Sequence, residues 1–241
     1  LPRVSSGELV LTAGLVSGDT VTVDEGKLSG RIDFVPYGLE AEIILIPTEG
    51  GMYLVSTSSA GVERTLRETT MGQPQAMITL DQAAGDRLGS ASTTEVLTWI
   101  RLRVDSGICS ILSGACKASL DLAAEYTKIR HQFDRPIATF QAVSQRAGDA
   151  YIDTEAVRLT SRQAAWRVDA GEPAEEKVAI ARWWAAEAGF RVVHAATHLH
   201  GGVGVDRDYP LHRFFLMARQ LELTLGNSEE QLENLGNLIA A

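Results

Sequence analysis

Short runs rich in β-branched and aliphatic residues alternate with turn residues along the first part of the chain. They are Glu8–Thr12, Thr20–Asp24, Gly30–Val35, Glu42–Pro47, Met52–Ser56 and Gln75–Leu80. Gly18-Asp19, Glu25-Gly26 and Glu49-Gly50-Gly51 punctuate them as turns. The pattern predicts a compact antiparallel sheet or small barrel over residues 1–90. Beyond residue 90 the period lengthens from two to between three and four. Val96, Ile100, Val104, Ile108, Ile111, Leu112 and Ala115 form one apolar stripe, predicting a helix from near Thr93 to about Arg130. Pro136 suits the first turn of a second helix, with Phe140, Val143, Ala147, Ala150 and Val157 on its inward face. That helix ends at Gly171-Glu172-Pro173. A third follows from about Ala174 to Leu199, with Ala179, Trp183, Ala186, Phe190 and Val193 facing inward and Trp183-Trp184 packing in the core and bundle interface. A last helical stretch covers roughly Arg213–Ala240, with Gly226 as a point of interruption. The expected class is α+β: a small antiparallel β domain over 1–90, then an up-down four-helix bundle over 91–241.

Composition changes this picture little. Hydrophobic residues make up 45% and charged residues 22% of the chain, an ordinary soluble balance. The formal charge of −9 and the absence of any basic tract argue against nucleic acid as a partner. No uninterrupted apolar run reaches the ~20 residues that span a bilayer, so no membrane role is expected. Cys109 and Cys116 are seven positions apart on one predicted helix, about 10 Å by helical rise, too far for a disulfide. Reduced thiols point to a cytoplasmic protein.

Two stretches carry candidate chemistry. The first is Arg130-His131-Gln132-Phe133-Asp134-Arg135-Pro136-Ile137-Ala138-Thr139-Phe140-Gln141. An arginine at the end of a helix either forks onto a pyrophosphate or serves as a cation favoured by the helix dipole. The second is His200-Gly201-Gly202-Val203-Gly204, closing the third helix. Paired glycines either let backbone amides approach a phosphate or ribose, or merely cap the helix. His194, His198 and His200 share helical spacing, but no glutamate stands between them in the zincin manner. They read better as a ligand-facing helix end than as a metal site.

Taken together and in this order, Arg-x-x-Phe-x-x-Pro-Ile-x-x-Phe-Gln and the glycine cluster resemble the carboxy-terminal helical domain of the FAD-dependent acyl-CoA dehydrogenases. His198 stands at that family's usual glutamine position. Asp208-Tyr209-Pro210-Leu211-His212-Arg213 fits the acidic-aromatic-Pro stretch that follows. The resemblance implies that Arg130, Gln132, Phe133, Gln141, His198, His200, Gly201 and Gly202 contact FAD bound mainly to a neighbouring subunit. In the β-rich part, Leu11-Thr12-Ala13-Gly14 with Ser17-Gly18-Asp19, and Gly30-Arg31-Ile32-Asp33-Phe34-Val35-Pro36, are similar to the family's flavin-ring segments in degraded form. Ala13 replaces a Glu, Phe34 a Trp, and Pro36 a Thr or Ser. Proline offers neither hydroxyl nor amide proton there.

The family's catalytic carboxylate has no counterpart at either of its two known places. Counting without gaps from Pro210 puts Leu225 before Gly226-Asn227-Ser228-Glu229. Counting back from Arg130 puts Val104 at the alternative site, beside Asp105. Leucine and valine cannot take a proton. The family's amino-terminal helical domain also has no match in this sequence. The resemblance therefore implies a noncatalytic subunit of a heteromeric α2β2 acyl-CoA dehydrogenase, of the kind found in actinobacterial degradation of steroid side chains. A homologous catalytic subunit would bind most of the acyl-CoA and supply the glutamate, and an electron-transfer flavoprotein would take the electrons. The rival readings are a self-sufficient dehydrogenase using Asp105 or Glu222, a scaffold that touches no cofactor, and a related flavin monooxygenase or acyl-CoA oxidase.

Overall fold

The alternating segments become strands in the computed structural model, which describes residues 2–15, 21–90, 92–224 and 226–240. A single helical turn, α1 (Pro2–Ser5), precedes β1 (Leu11–Ala13), β2 (Thr22–Asp24), β3 (Lys27–Pro36), β4 (Ile43–Thr48), β5 (Gly51–Ser56), β6 (Val62–Arg67), β7 (Gln75–Ala84) and β8 (Asp86–Arg87). They form two four-stranded sheets, ordered β1-β4-β5-β8 and β2-β3-β7-β6. Every pairing is antiparallel except β1 with β4. The two sheets share one core, built from Leu28, Ile32 and Val35, Ile44 and Ile46, Val55, and Ile78 and Leu80. These are the apolar members of the alternating runs. β6 was not expected. It is an edge strand, mostly exposed on both faces, so its sequence carries no alternation.

The chain divides into two compact units, Leu1–Ile100 and Arg101–Ala241. The helices are α2 (Thr93–Ile129), α3 (Gln141–Ala170), α4 (Glu175–His200), α5 (Leu211–Leu223) and α6 (Ser228–Ala240). Ser92 and Glu95 start α2 with a reciprocal capping box: the Glu95 amide donates to Ser92 Oγ at 3.2 Å and the Ser92 amide to Glu95 Oε2 at 3.3 Å. Asn227 and Glu230 do the same for α6. The last helical stretch is therefore two helices rather than one, split around Gly226. The start of α3 also differs from expectation. Pro136 lies in a short strand, Ile137–Thr139 is a 3₁₀ turn, and the helix begins only at Gln141.

By length and composition α2 is apolar enough to cross a membrane. Its inward side instead belongs to the bundle: Leu112 and Cys116 approach Gly189 of α4, and Ser110 reaches Ser161 of α3. Cys109 and Cys116 are both buried and unpaired, and burial pushes each thiol up to about 12. Along α4 the buried positions, from Val178, Ala181, Ala185 and Ala188 to Val192 and Ala196, take up about half of the helix surface, and Arg191, His194 and His198 on the other side are exposed. α4 packs against α2, α3, α5 and α6, and the stripe expected through Trp183 and Phe190 runs along the edge of its buried side rather than down the middle. Phe190, expected inside, is 37% exposed and lies under the Arg219 guanidinium.

Arg182 of α4 is fully buried. Its Nε lies 3.0 Å from Asp105 Oδ1 of α2, and its terminal nitrogens donate to the carbonyls of Leu221, Thr224 and Gly226 at 3.4, 2.7 and 3.0 Å. One guanidinium thus satisfies the carboxy-terminal carbonyls of α5 and ties the α5–α6 connection to α4.

Candidate functional site

Four helix ends meet at one end of the bundle. Ala123 of α2, Ala196 and Leu199 of α4 and Leu211 of α5 form a buried cluster, against which Val143 and Ala147 of α3 pack. Tyr126, one turn before Arg130, stacks on His200 with ring centroids 4.5 Å apart. The carboxy-terminal ends of α2 and α4 and the amino-terminal end of α3 are thereby gathered. They bring Arg130, Gln141, His198 and Gly201–Gly202 to one region, all exposed.

Beyond α2 the chain turns back in a two-residue hairpin, His131–Gln132 pairing with Arg135–Pro136. Its turn residues Phe133 and Asp134 both have positive φ, 53° and 61°, the left-handed pair of a type I′ turn that usually employs Asn-Gly. The hairpin is stabilised by its own contacts: His131 Nδ1 donates to the Ile129 carbonyl at 3.0 Å, and the Ile137 amide donates to the Arg130 carbonyl at 2.8 Å. Gln132 donates back to the His131 carbonyl. Phe133 projects outward, 86% exposed, with its ring edge toward Phe140. The Arg135 guanidinium covers the Phe140 ring at 4.2 Å. At α3 the capping position is Phe140, which offers no side-chain acceptor to the first amides. A guanidinium, two carboxamides, an imidazole and an uncapped helix start make a donor set suited to an anionic, hydrogen-bonding ligand such as a diphosphate.

The three histidines do not act together. His194 lies between Phe190 and Phe215, at 4.1 and 4.8 Å, and His198 is exposed. His200 departs from the expected ligand-facing role, since its residue is 3% exposed. Nδ1 lies 2.7 Å from the Ala196 carbonyl, to which it donates, and Nε2 lies 3.1 Å from the Tyr209 hydroxyl. Burial holds the imidazole below its ordinary pKa, so it stays neutral and braces the corner. The bracing partners Tyr126 and Tyr209 were missed from sequence. The only signal was their place four residues before Arg130 and within the acidic-aromatic-Pro stretch.

The glycines separate by role. Gly201 has φ +60°, ending α4 in the left-handed region. A Cβ on Gly204 would lie 2.6 Å from the Thr197 carbonyl oxygen, whereas one on Gly202 would meet nothing within 4 Å. Gly204→Ala is expected to destabilise the chain by roughly 1–3 kcal/mol. Gly202→Ala should stay within about 0.5 kcal/mol of wild type. Denaturant midpoints of the two variants check this, and equal midpoints would contradict the packing role of Gly204.

The two acidic residues considered as bases are both ion-paired. Asp105 faces Arg182, and burial pushes its carboxyl above the usual value while Arg182 and Arg101 pull it back. Glu222 pairs with Arg219, and burial likewise raises its pKa. Val104 packs against the bundle core. Leu225 lies outside the described residues, as do Ser17, Gly18 and Asp19. Among the β-half positions, Phe34 occupies a bulge of β3 at φ +54° and is 48% exposed, while the Pro36 carbonyl accepts from the Thr12 hydroxyl at 2.5 Å. Ala13 pairs with Leu45.

Comparison with known proteins places these features in context. Residues 89–239 match the family model for the acyl-CoA dehydrogenase carboxy-terminal domain. The chain is 38% identical to the acyl-CoA dehydrogenase FadE27 of Mycobacterium tuberculosis, covering 98% of this chain and 68% of that protein. Among solved structures, the ChsE4-ChsE5 complex from Mycobacterium tuberculosis is similar at 39% identity and a TM-score of 0.90, with 99% of this chain and 68% of that one covered. A variant of the Tcur3481-Tcur3483 steroid acyl-CoA dehydrogenase matches at 35% identity and a TM-score of 0.90, with 99% and 69% covered. The chain spans about two thirds of the length of each.

Proposed function

Because the chain belongs to the acyl-CoA dehydrogenase family, we propose that it is a noncatalytic subunit of a heteromeric FAD-dependent dehydrogenase, reaching across a subunit boundary to a homologous catalytic partner. In this reading the complex desaturates an acyl-CoA thioester between Cα and Cβ, and bound FAD supplies the hydride acceptor. The partner contributes the glutamate base, binds most of the substrate, and passes electrons onward to an electron-transfer flavoprotein. Arg130 and Gln141 would hold the pyrophosphate, and His198 with the Gly201–Gly202 backbone would border the adenosine. Phe133 and Gln132 would close over the cofactor from the hairpin, with His200 keeping the corner in shape. A bulky acyl group such as a steroid side chain is supported by the similarity to the Tcur3481-Tcur3483 steroid acyl-CoA dehydrogenase. Two buried, unpaired thiols support placement in the cytoplasm.

The observation that carries this reading is the gathering of Arg130, Gln141, His198 and Gly201–Gly202 at one exposed bundle end. Both acidic rivals, by contrast, are engaged by arginines. The chain expressed alone is expected to carry little or no FAD, and the complex with its partner to carry it at about one per partner subunit. Flavin absorbance against protein mass gives the ratio. A yellow homo-oligomer of this chain with one flavin per copy would overturn the proposal.

A further inference from the structure

Gly201 and Gly202 have no side chains to hold them. A Cβ on either would meet nothing within 4 Å, so the place of the pair is set by what flanks it. After the pair, Gly204 packs so closely that a Cβ would meet the Thr197 carbonyl oxygen at 2.6 Å and His200 Cβ at 3.2 Å. Before it, the His200 ring is anchored on three sides. It stacks on Tyr126 of α2, its Nδ1 lies 2.7 Å from the Ala196 carbonyl of α4, and its Nε2 lies 3.1 Å from the Tyr209 hydroxyl in the connection to α5. A carbonyl only accepts, so the ring proton stands on Nδ1. In this buried, neutral ring Nε2 is then an acceptor, and the Tyr209 hydroxyl donates to it. Tyr209 is itself fixed. Its ring packs against the cluster of Ala123, Ala196, Leu199 and Leu211. Its amide donates to the Asp206 carbonyl at 3.3 Å, and its carbonyl accepts from His212 Nδ1 at 2.7 Å.

We infer that Tyr209 is a positioning residue for the adenosine end of the cofactor site, acting through the His200 ring. The inference rests on the cofactor reading above and adds to it the group that sets the geometry of that corner. Tyr126 lies one turn before Arg130, and His200 immediately precedes Gly201. The stacked ring therefore fixes the spacing between the arginine and the glycine pair, and the Tyr209 hydroxyl fixes the orientation of the ring. Without that hydroxyl, Nε2 is a buried acceptor with no donor, a cost that favours turning the ring out of place. The corner then holds its binding shape for only part of the time, and the apparent affinity falls by that fraction. A ligand without adenosine, such as FMN, does not reach the corner and is indifferent to it.

Cofactor titration into the apo complex tests it. Tyr209→Phe removes one oxygen and keeps the ring. It is expected to weaken FAD binding roughly three- to tenfold, the scale of one hydrogen bond. FMN should bind the two complexes alike, within about twofold, because it lacks the half that the corner positions. A tyrosine that only supports the fold would lower the denaturant midpoint and leave the FAD affinity of the folded complex unchanged, or weaken FAD and FMN equally. Independently of any cofactor, nitrogen-15 NMR of the full chain should place the His200 ring proton on Nδ1. A proton on Nε2, an unchanged FAD affinity, or an equal loss for FAD and FMN would overturn the inference. Arg130→Lys separates it from the reading beneath it. Weakened FAD binding there with none in Tyr209→Phe overturns this inference alone, whereas unchanged binding in both overturns both.

Discussion

Replacing Arg182 by methionine is expected to destabilise the chain by about 3–5 kcal/mol, the usual cost of removing one member of a buried ion pair. Methionine fills most of the volume but leaves the Asp105 carboxylate without its nearest cation, and the Leu221, Thr224 and Gly226 carbonyls without their donor. Chemical denaturation followed by circular dichroism measures the loss. Asp105→Leu combined with Arg182→Met should recover part of it, since no buried charge is then stranded. The same pair bears on chemistry. Asp105→Asn in the complex should leave turnover per folded complex within a few-fold of wild type. A loss of ~10²–10⁴-fold, the scale of a missing general base, would make Asp105 catalytic. An Arg182→Met chain as stable as wild type would show that the buried guanidinium is not the tie that the hydrogen bonds describe.

Arg130→Lys is expected to weaken FAD retention by the complex while sparing the fold. A guanidinium presents two parallel donors to pyrophosphate oxygens, whereas an ammonium is a single mobile charge. Losing one charge-assisted hydrogen bond costs about 1.5–3 kcal/mol, roughly ten- to a hundredfold in affinity. Arg130 is exposed at the end of α2, so a purely helix-capping cation would be served equally well by lysine. Titrating FAD into the apo complex separates the two roles. Unchanged affinity would reduce Arg130 to a helix-end charge.

Much of this fold was legible because its elements bury one side only. The strands around Leu28, Ile44 and Ile78 alternate, and α2 shows its stripe at Ile108, Leu112 and Ala115, although Ile111, expected on it, is half exposed. Elsewhere the pattern was weaker or silent. The buried side of α4 is mostly alanine, and the stripe read through Trp183 and Phe190 follows only its edge. β6 is exposed on both faces and offers no period. The hairpin at Phe133 and Asp134 was hidden for another reason, because phenylalanine is not a left-handed turn former and no glycine stands beside it. The site motifs were legible as sequence strings, but the division of labour within them was not. Nothing in His-Gly-Gly-Val-Gly distinguishes the exposed Gly202 from the tightly packed Gly204, or marks His200 as a brace under Tyr126 and Tyr209.

The burial of Arg182 in α4 has a consequence for the order in which its unit assembles. A helix whose buried side is mostly alanine draws its stability from several neighbours rather than from any one. As the chain emerges during synthesis, α2, α3 and α4 are complete before the Leu221–Gly226 carbonyls that accept from Arg182 exist. Until then that guanidinium sits in an apolar setting with only part of its partners, so native packing of α4 waits for α5 and the connection that follows it. The carboxy-terminal segment thus acts as a closing latch: the unit is committed to its native state late, as one cooperative block.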